Sequence, residues 1–254
     1  MKVRAVICDL YHTLLEVGPP PADAHQRWNK LGHATLAGLA PPSLEEFASR
    51  CDKIIAREHA AADAAGAEYP EVYWPAVARE AMPELACLSD QSCDEFLYQH
   101  AQLQRTIRLM AGAAKELREL RQARMQLGLA SNAQPYSVRE LEAALQSADL
   151  PSSLFRPELC FLSFQHGFGK PASRVFRLLT ARLRALGIAP GETLMLGDRE
   201  DNDVAPALAH GWQAWKLTPS PAQPGQRAGD WASLGAWLRS NGVTVAMAVR
   251  RKEN

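Results

Sequence analysis

Two aspartates in this sequence each close a short apolar run. Asp9 follows the run Val3 to Cys8, with Thr13 four residues later, and Asp198 closes the run Thr193 to Gly197. The first run is rich in β-branched residues, apolar on both faces and too short for a free-standing helix, so it predicts a buried parallel strand. Open α/β sheets bind their ligands in the crevice outside the carboxyl ends of the strands, where a carboxylate could act on a ligand. For Asp9 taken alone, a turn or a helix cap is the alternative.

Four further polar residues stand in comparable places. Ser131 and Asn132 end the apolar run MQLGLASN, Lys170 stands at the start of a helix, and Asp203 lies five residues after Asp198. Each alone is common at caps, turns and solvated helix starts. In this order, each at or just after a strand end, they predict one functional site.

Strand and helix patterns alternate through most of the chain. Short apolar runs predict strands, and the amphipathic or proline-started segments between them predict helices. The predicted strands after the first are MQLGLAS, Leu159 to Phe164, Thr193 to Asp198 and, as the last, GWQAWKL; the predicted helices are AGAAKELRELRQAR, Pro135 to Ala148, Ala172 to Leu186, Asp203 to His210 and a final one with Trp231, Leu234, Trp237 and Leu238. The alternation predicts an α/β fold with a doubly wound parallel sheet.

A long helical block interrupts this alternation after the first strand. It runs from residue 16 to about 105 and contains no period-2 run typical of a strand. Its predicted helices are Ala22 to Leu39, Ser43 to Ala65, Glu71 to Ala81 and Asp90 to Ile107. Ser43 followed by Glu46 is a capping-box signature. We expect a core domain of residues 1–15 and 108–254 and a helical cap domain of residues 16–107 that covers the crevice.

The composition limits the classes of function. The 254 residues carry 28 basic and 28 acidic side chains, so no overall field favours nucleic acid or an anionic membrane. No apolar run reaches the roughly 18 residues that a membrane span needs, and no signal-peptide core is present. Five cysteines without CxxC spacing argue against a disulfide framework and against a zinc site. We expect a cytoplasmic monomer or homodimer that acts on a small molecule.

Four motifs together resemble the haloacid dehalogenase-like hydrolase superfamily. They are DLYHTLL, LGLASN, GKPASRVF and MLGDREDNDVAPALAHG, and the resemblance covers residues 1–15 and about 108–240. The helical block stands where that family has its C1 cap. The resemblance implies a Rossmann-like doubly wound core with a helical C1 cap inserted after the first strand.

The resemblance also implies roles for the residues at the strand ends. Asp9 is similar to a carboxylate nucleophile that forms a covalent aspartyl intermediate. Asp9, Asp198 and the main-chain carbonyl of Tyr11 are expected to bind Mg²⁺, a cation that prefers a few carboxylates, waters and phosphate oxygens. Asp203 is a weaker candidate, as a ligand or as a group that orients a metal-bound water.

The remaining motif residues are expected to hold the substrate. Ser131 and the backbone N–H groups around Asn132 would bind the transferring phosphoryl group, and Lys170 would neutralise both Asp9 and the substrate anion. Thr13 would stabilise the turn after the nucleophile or its intermediate.

Tyr11 departs from the pattern of the family's phosphatases. Those enzymes usually carry a second aspartate two residues after the nucleophile, which protonates the leaving group and then activates water. Tyrosine, with an ordinary pKa of about 10, is a poor base near neutrality. The Asp-x-Tyr pattern resembles the family's 2-haloacid dehalogenases, whose halide leaves without a proton, whereas GDREDND resembles the Mg²⁺-dependent members.

We therefore expect a Mg²⁺-dependent hydrolase with Asp9 as nucleophile, a phosphatase on a small phosphorylated metabolite. A 2-haloacid dehalogenase is the first alternative, and a catalytically weak binding or regulatory member of the family is the second. The phosphatase hypothesis predicts phosphate release with Mg²⁺, and the dehalogenase hypothesis predicts halide release without metal. The third hypothesis predicts binding with little turnover.

Other residues leave alternatives open. His12 stands where the family usually has glycine, so it could supply an acid with an ordinary pKa near 6.5 or point away into the loop. Arg27, Arg50 and Arg57 are the cap arginines available for a haloacid carboxylate, and none matches the family position clearly. The alternating run Val243 to Val249 predicts an edge strand or a dimer contact.

Overall fold

The computed structural model describes residues 2–36, 41–219 and 227–242. The strands in these residues are β1 (Ala5–Cys8), β2 (Leu15–Gly18), β3 (Thr106–Leu109), β4 (Gln126–Ser131), β5 (Cys160–Leu162), β6 (Thr193–Gly197), β7 (Gln213–Leu217) and β8 (Ala228–Gly229). The α-helices are α1 (Ala24–Thr35), α2 (Leu44–Ala64), α3 (Trp74–Ala81), α4 (Asp90–Gln104), α5 (Ala113–Gln122), α6 (Pro135–Gln146), α7 (Ser173–Ala185), α8 (Ala205–Ala209) and α9 (Trp231–Ser240). Among these described helices, none is both long and apolar enough to cross a bilayer.

Strand β1 lies in the middle of a six-stranded sheet with the order β5-β4-β1-β6-β7-β8. Every pair in it is parallel. Cys8, the last residue of β1, pairs with Leu129 of β4 and with Leu196 of β6. The chain therefore leaves these three strands at one edge of the sheet, and the predicted parallel α/β sheet is confirmed.

Helices cover both faces of this sheet because the side chains of β1 alternate between them. Val6 and Cys8 belong to a hydrophobic cluster with α5, α6 and α9, whereas Ala5 and Ile7 belong to a second cluster with α7 and α8. Burying an aliphatic side chain such as Ile7 contributes roughly 1.5–3 kcal/mol. A strand packed on both faces must be apolar at every position, which explains the uninterrupted run before Asp9.

The helices between β2 and β3 have a hydrophobic cluster of their own. Trp28 and Phe47 stack with ring centroids 5.4 Å apart, and Phe96 meets Trp28 edge-on at 5.7 Å. The predicted capping of α2 is confirmed, because the Ser43 hydroxyl accepts a hydrogen bond from the backbone N–H of Glu46 at 3.1 Å. This separate cluster supports a division into core and cap, whose boundaries remain a prediction.

The chain enters and leaves these helices through an antiparallel ribbon that the sequence did not predict. β2 and β3 pair along all four residues of each strand. The expectation of no strand in residues 16–105 is therefore wrong at β2, and the helix predicted to reach Ile107 ends at Gln104. Both strands are short and partly exposed, so neither shows a buried apolar run. Each becomes recognisable only through pairing with a strand about 90 residues away in the chain.

The carboxyl-terminal part also differs from the prediction. GWQAWKL was expected to hold the last strand, but β8 follows it and pairs with β7 at the edge of the sheet. The final helix is confirmed, with Trp231, Leu234 and Leu238 buried. The run Val243 to Val249 lies outside the described residues.

Phe47→Ala is expected to destabilise the helices of the insert by about 3–5 kcal/mol, because it leaves a cavity beside the Trp28 ring. Hydrogen exchange measured peptide by peptide should then show faster exchange in α1, α2 and α4, with β1 and β4 unchanged. Equal acceleration in β1 and β4 would contradict a separately stabilised cap.

Candidate active site

Asp9 begins a tight loop at the carboxyl end of β1. Its backbone N–H donates to the carbonyl of Leu196 in β6 at 2.8 Å, and its side chain is almost buried. The loop closes when the N–H groups of Leu14 and Leu15 both donate to the carbonyl of Leu10 at 2.8 Å. His12 has a φ of 58°, the left-handed conformation that favours glycine. This conformation gives a physical reason for the glycine that the resembling family usually has at this position.

The Lys170 ammonium lies between two carboxylates. It is fully buried and donates to Asp9 Oδ1 at 2.7 Å and to Asp203 Oδ1. Burial by itself would lower the pKa of Lys170, but the charges of Asp9 and then Asp203 outweigh it and raise that pKa. Since an unpaired buried charge is very costly, these three groups stabilise one another only as a set.

Asp198 and Asp203 complete a compact group of carboxylates around Asp9. One oxygen from each of Asp9, Asp198 and Asp203 lies within 4.8 Å of the others. Burial and then the charge of Asp9 raise the pKa of Asp198, and burial raises the pKa of Asp203 to about 6 despite the nearby Lys170. Crowded, partly desolvated carboxylates of this kind fit a hard divalent cation, which prefers oxygen ligands and would relieve their repulsion.

The chain after β6 folds so that Asp203 turns back toward Asp9. Residues Glu200–Val204 form one π-helical turn, in which the N–H of Val204 donates to the carbonyl of Arg199 at 3.3 Å. The expected α-helix from Asp203 therefore begins only at α8, since the wider turn comes first. Asp203 Oδ2 accepts from the Arg199 N–H at 3.1 Å, and Arg199 itself pairs with Asp201.

Glycine at position 197 makes this approach possible. A Cβ built there would lie 2.3 Å from the Cβ and Cγ of Asp203, closer than real atoms approach. Both oxygens of Asp203 are already engaged, one by Lys170 and one by a backbone N–H. Asp203 therefore holds Lys170 through one oxygen and the start of the π-helical turn through the other.

Asn132 ties the loop after β4 to the loop that carries Lys170. Its Nδ2 donates to the Lys170 carbonyl at 2.9 Å, and its Oδ1 accepts from the Lys170 N–H at 2.7 Å. We call this pair of bonds the Asn132 clamp. A Cβ at Gly169 would lie 2.5 Å from the same Oδ1, so the clamp also needs a glycine beside it. The amide side chain thus positions the backbone of Lys170, and the substrate-binding role expected for the backbone N–H groups around Asn132 stays a prediction.

Two further hydroxyls are buried on the segments that follow β1 and end β4. Ser131 ends β4 and is 1% exposed. Thr13 is fully buried and, among the described residues, its Oγ1 has no hydrogen-bond partner. Its carbonyl accepts from Trp231 Nε1 of α9 at 3.0 Å, which fixes the loop against the core. A buried hydroxyl without a hydrogen-bond partner is unusual in proteins. Such a group could bond to an oxygen of a ligand.

The side chain of Tyr11 is held by α6 and takes no part in this group. Its hydroxyl contacts Ser137 Oγ at 2.7 Å and Glu140 Oε2 at 2.6 Å. Arg105 donates to the same hydroxyl at 3.0 Å and lies over the Tyr11 ring. Burial raises the pKa of Tyr11 far above its ordinary value. Tyr11 therefore stays a neutral phenol whose hydroxyl is engaged by Ser137, Glu140 and Arg105.

Arg105 and Glu140 form a buried ion pair that sequence reasoning missed. Arg105 follows α4 and donates to both carboxylate oxygens of Glu140, at 3.2 and 3.0 Å, and the Glu140 side chain is fully buried. Gln102 adds a further bond to Glu140 at 2.9 Å. The one sequence signal was a glutamate on the apolar face of α6, where an unpaired charge would not be tolerated.

The insert also rests on the loops that carry the Asn132 clamp. Glu71 accepts from Ser163 Oγ at 2.5 Å and from Gln134 Nε2 at 2.9 Å. The backbone N–H of Gly169 donates to the carbonyl of Tyr69 at 3.0 Å. These bonds join the segment before α3 to the loop after β4 and to the loop between β5 and α7. The insert is therefore hydrogen-bonded to both loops that the Asn132 clamp connects.

A cavity of about 390 Å³ lies between the insert and the core. Its walls include Trp74, His100, Arg105, Gln134 and Tyr136. Trp74 Nε1 is buried without a hydrogen-bond partner among the described residues. Burial and then the charge of Arg105 lower the pKa of His100 to about 4, so this imidazole is neutral near pH 7.

The arginines considered for a haloacid carboxylate lie elsewhere. Arg57 forms ion pairs with Glu58 and Glu80, and Arg50 forms one with Glu46, on exposed faces of the insert. Arg105 is instead the arginine that contacts the loop after β1, through the hydroxyl of Tyr11.

Known proteins resemble this chain in sequence pattern and in fold. A family model described as haloacid dehalogenase-like hydrolase matches residues 3–211. No curated protein matches the chain in sequence.

Solved structures share the fold at low identity. A 2-haloacid dehalogenase from Pseudomonas syringae pv. Tomato is 19% identical, with a TM-score of 0.58 over 92% of this chain and 99% of that chain. YfnB from Bacillus subtilis, a HAD-hydrolase bound to magnesium, is 19% identical, with a TM-score of 0.52 over 94% and 99%. A family enzyme from Bacteroides thetaiotaomicron in complex with magnesium and inorganic phosphate is 16% identical, with a TM-score of 0.50 over 87% and 98%. These likenesses show a shared fold alone.

Glu140→Gln is expected to destabilise the protein by about 3–5 kcal/mol, because it leaves the Arg105 charge without its buried partner. Guanidinium chloride unfolding measures this. The matched control is Glu95→Gln, which breaks the exposed Glu95–Arg139 pair between α4 and α6 and should cost about 0–1 kcal/mol. Equal losses in the two variants would contradict a structural role for the buried pair.

Proposed function

The chain belongs to the haloacid dehalogenase-like hydrolase family, and on that premise we propose that it is a Mg²⁺-dependent phosphohydrolase with Asp9 as its nucleophile. The single observation that carries the proposal is the group of three carboxylate oxygens within 4.8 Å around Asp9, with the Lys170 ammonium against it. An acidic group of this kind suits a cation that accompanies a phosphate ester.

The proposed reaction has two steps. A free oxygen of Asp9 attacks phosphorus, the bond from phosphorus to the ester oxygen breaks, and an aspartyl phosphate forms as the leaving group departs as an alkoxide, which then takes a proton from water. Water then attacks the aspartyl phosphate and releases inorganic phosphate, which restores the carboxylate. Lys170 holds Asp9 through Oδ1 only, so Oδ2 remains for the attack or for a metal.

The other residues bind and orient. Lys170 offsets negative charge on the nucleophile and on the phosphoryl oxygens. Ser131 and the backbone N–H groups at Asn132 and Ala133 are proposed to hydrogen-bond those oxygens, with the Thr13 hydroxyl as a further donor. The Ala133 N–H donates to Ser163 Oγ at 2.8 Å, so it would have to release that hydroxyl before it could bind a phosphoryl oxygen.

Mg²⁺ would be held by Asp9, Asp198 and the main-chain carbonyl of Tyr11, with Asp203 orienting its surroundings. The ion supplies charge neutralisation for the phosphoryl group when bound. Asp198 suits this role because its pKa is raised by burial and by Asp9, so a cation would stabilise its charged form.

Residues 16–107 are proposed to form the cap over this site. The cavity of about 390 Å³ between insert and core is large enough for the body of a small metabolite, and it borders the loop after β4 through Gln134, although neither Lys170 nor any of the carboxylates of the site lines it. Its unpartnered Trp74 Nε1 would suit a substrate with a hydrogen-bond acceptor.

A 2-haloacid dehalogenase is the second candidate because of Tyr11. A halide leaves without a proton, so that chemistry does not need the second acid that this chain lacks. The acidic run from Asp198 to Asp203 favours the metal-dependent alternative.

We expect purified protein to release phosphate from a panel of phosphomonoesters only with Mg²⁺ present. Asp9→Asn should lower this rate by about 1,000-fold or more, since it removes the nucleophile.

Asp198→Asn should raise the Mg²⁺ concentration that gives half-maximal activity. Wild-type protein at a Mg²⁺ concentration near 100 times its Kd should gain about 2.7 kcal/mol in its free energy of unfolding.

Other outcomes of that assay would overturn the proposal. Metal-independent halide release from a 2-haloacid, lost in Asp9→Asn, would make the protein a dehalogenase. Ligand binding without turnover of either substrate class would favour a binding or regulatory role.

The absence of an acid at position 11 predicts a strong dependence on the leaving group. General acid catalysis contributes about 100-fold or more, so alkyl phosphates should be slower than 4-nitrophenyl phosphate by at least that factor in kcat/KM.

His12→Asn tests whether His12 donates the proton to the leaving group, because asparagine tolerates the left-handed backbone and does not titrate. We expect little change in either rate, and a loss confined to alkyl phosphates would instead assign the acid to His12.

A further inference from the structure

A second cavity lies at the edge of the sheet opposite Asp9. It has a volume of about 340 Å³ and is lined by residues that precede β1 and β4, among them Lys2, Arg4 and Arg124. Arg4 stands five residues before Asp9, and a strand rises about 3.3 Å per residue, so the two ends lie roughly 16 Å apart along β1. A ligand here would not reach the nucleophile.

The charged side chains that line this cavity are all basic. They are Lys2, Arg4, Arg124 and Arg156, and no carboxylate is among the lining residues. A chain with equal numbers of acidic and basic residues has no overall charge that would produce such a grouping.

Two of the four cations are compensated and two are not. Arg4 pairs with Glu192 at 3.1 Å, and Arg156 pairs with Glu158 at 2.7 Å. Within the described residues, the side chains of Lys2 and Arg124 have neither a hydrogen bond nor an ion pair, although Lys2 acts on Glu192 through its charge. The cavity therefore keeps a positive potential that an anion could neutralise.

The backbone at Arg124 is strained, as it is at three further non-glycine residues of the described chain, including Asp149 after α6. Arg124 has a φ of 56°, in the turn between α5 and β4. The equivalent left-handed positions after α7, α8 and α9 are filled by Gly187, Gly211 and Gly242. A non-glycine residue in this conformation costs about 1 kcal/mol or more. Strain of this kind clusters at functional sites, and here it places a guanidinium at the cavity.

The walls between the cations are apolar. Val3 and Ile188 are buried, and Met125 and Leu186 are partly buried. A volume of about 340 Å³ lies within the range of small-ligand sites, roughly 300–1,000 Å³. Guanidinium and ammonium groups over an apolar floor suit a phosphate group attached to a small body, because arginine binds phosphate through paired N–H donors.

We propose that this cavity is a second, non-catalytic site that binds a small phosphate-bearing anion, held by the two uncompensated cations Lys2 and Arg124. The proposal does not depend on the phosphohydrolase assignment, because no residue of the catalytic group lines the cavity.

Titration calorimetry with pyrophosphate tests the proposal. The buffer contains EDTA, so that metal-dependent binding at Asp9 does not contribute. Wild-type protein should bind one equivalent, and Arg124→Glu should weaken binding at least about tenfold, the effect of losing one charge-assisted hydrogen bond.

Two control variants show whether pyrophosphate binds at this cavity or at another basic surface. Arg121→Glu makes the same charge change on the exposed last turn of α5, outside the cavity, and should leave the affinity unchanged. Ser131→Ala alters the proposed catalytic site and should also leave it unchanged. Lys2→Glu should reproduce the loss if Arg124→Glu does not fold.

Three results would overturn the proposal. These are no binding to wild-type protein at millimolar pyrophosphate, equal loss in Arg121→Glu and Arg124→Glu, and loss in Ser131→Ala with binding kept in Arg124→Glu. Phosphatase activity, where present, should be unchanged in Arg124→Glu.

Discussion

The buried ammonium of Lys170 is the interaction on which the site depends. It lies between Asp9 and Asp203 with no exposed side-chain surface, so each charge needs the others in place. Several features of the fold serve this arrangement. The register of β1 between β4 and β6 brings the strand ends together, and the Asn132 clamp fixes the backbone of Lys170. A π-helical turn beside Gly197 then directs Asp203 back to it.

The second constraint is the contact between the insert and the core. Tyr11 belongs to the nucleophile loop, yet its hydroxyl is bound by Ser137 and Glu140 of α6 and by Arg105 from the end of α4. The phenol of Tyr11 therefore links the loop after β1 to the end of the insert. Glu71 makes a similar connection from the other side, through Ser163 and Gln134. The orientation of the insert and the geometry of the site are therefore mechanically connected.

Two parts of the site favour different chemistries. Near Asp9, a tyrosine stands where phosphatases of the family have an acid, and its raised pKa leaves it neutral. After β6, the carboxylates of Asp198 and Asp203 favour a divalent cation. An enzyme with the second feature and without the first would transfer phosphoryl groups best from esters whose leaving group needs no proton.

The sequence by itself determined the parallel α/β core, the family and the order of the residues at the strand ends. Those features depend on local patterns: apolar runs of strand length, helical periodicity, and polar residues directly after each run. Tertiary structure alone decided the ribbon of β2 and β3, the direction of the Tyr11 side chain and the pairing of Arg105 with Glu140. Each of these joins segments far apart in the chain, from 35 residues for Arg105 and Glu140 to 129 for Tyr11 and Glu140. No local pattern records such contacts, because the energy that fixes them comes from pairing and desolvation after the segments have met.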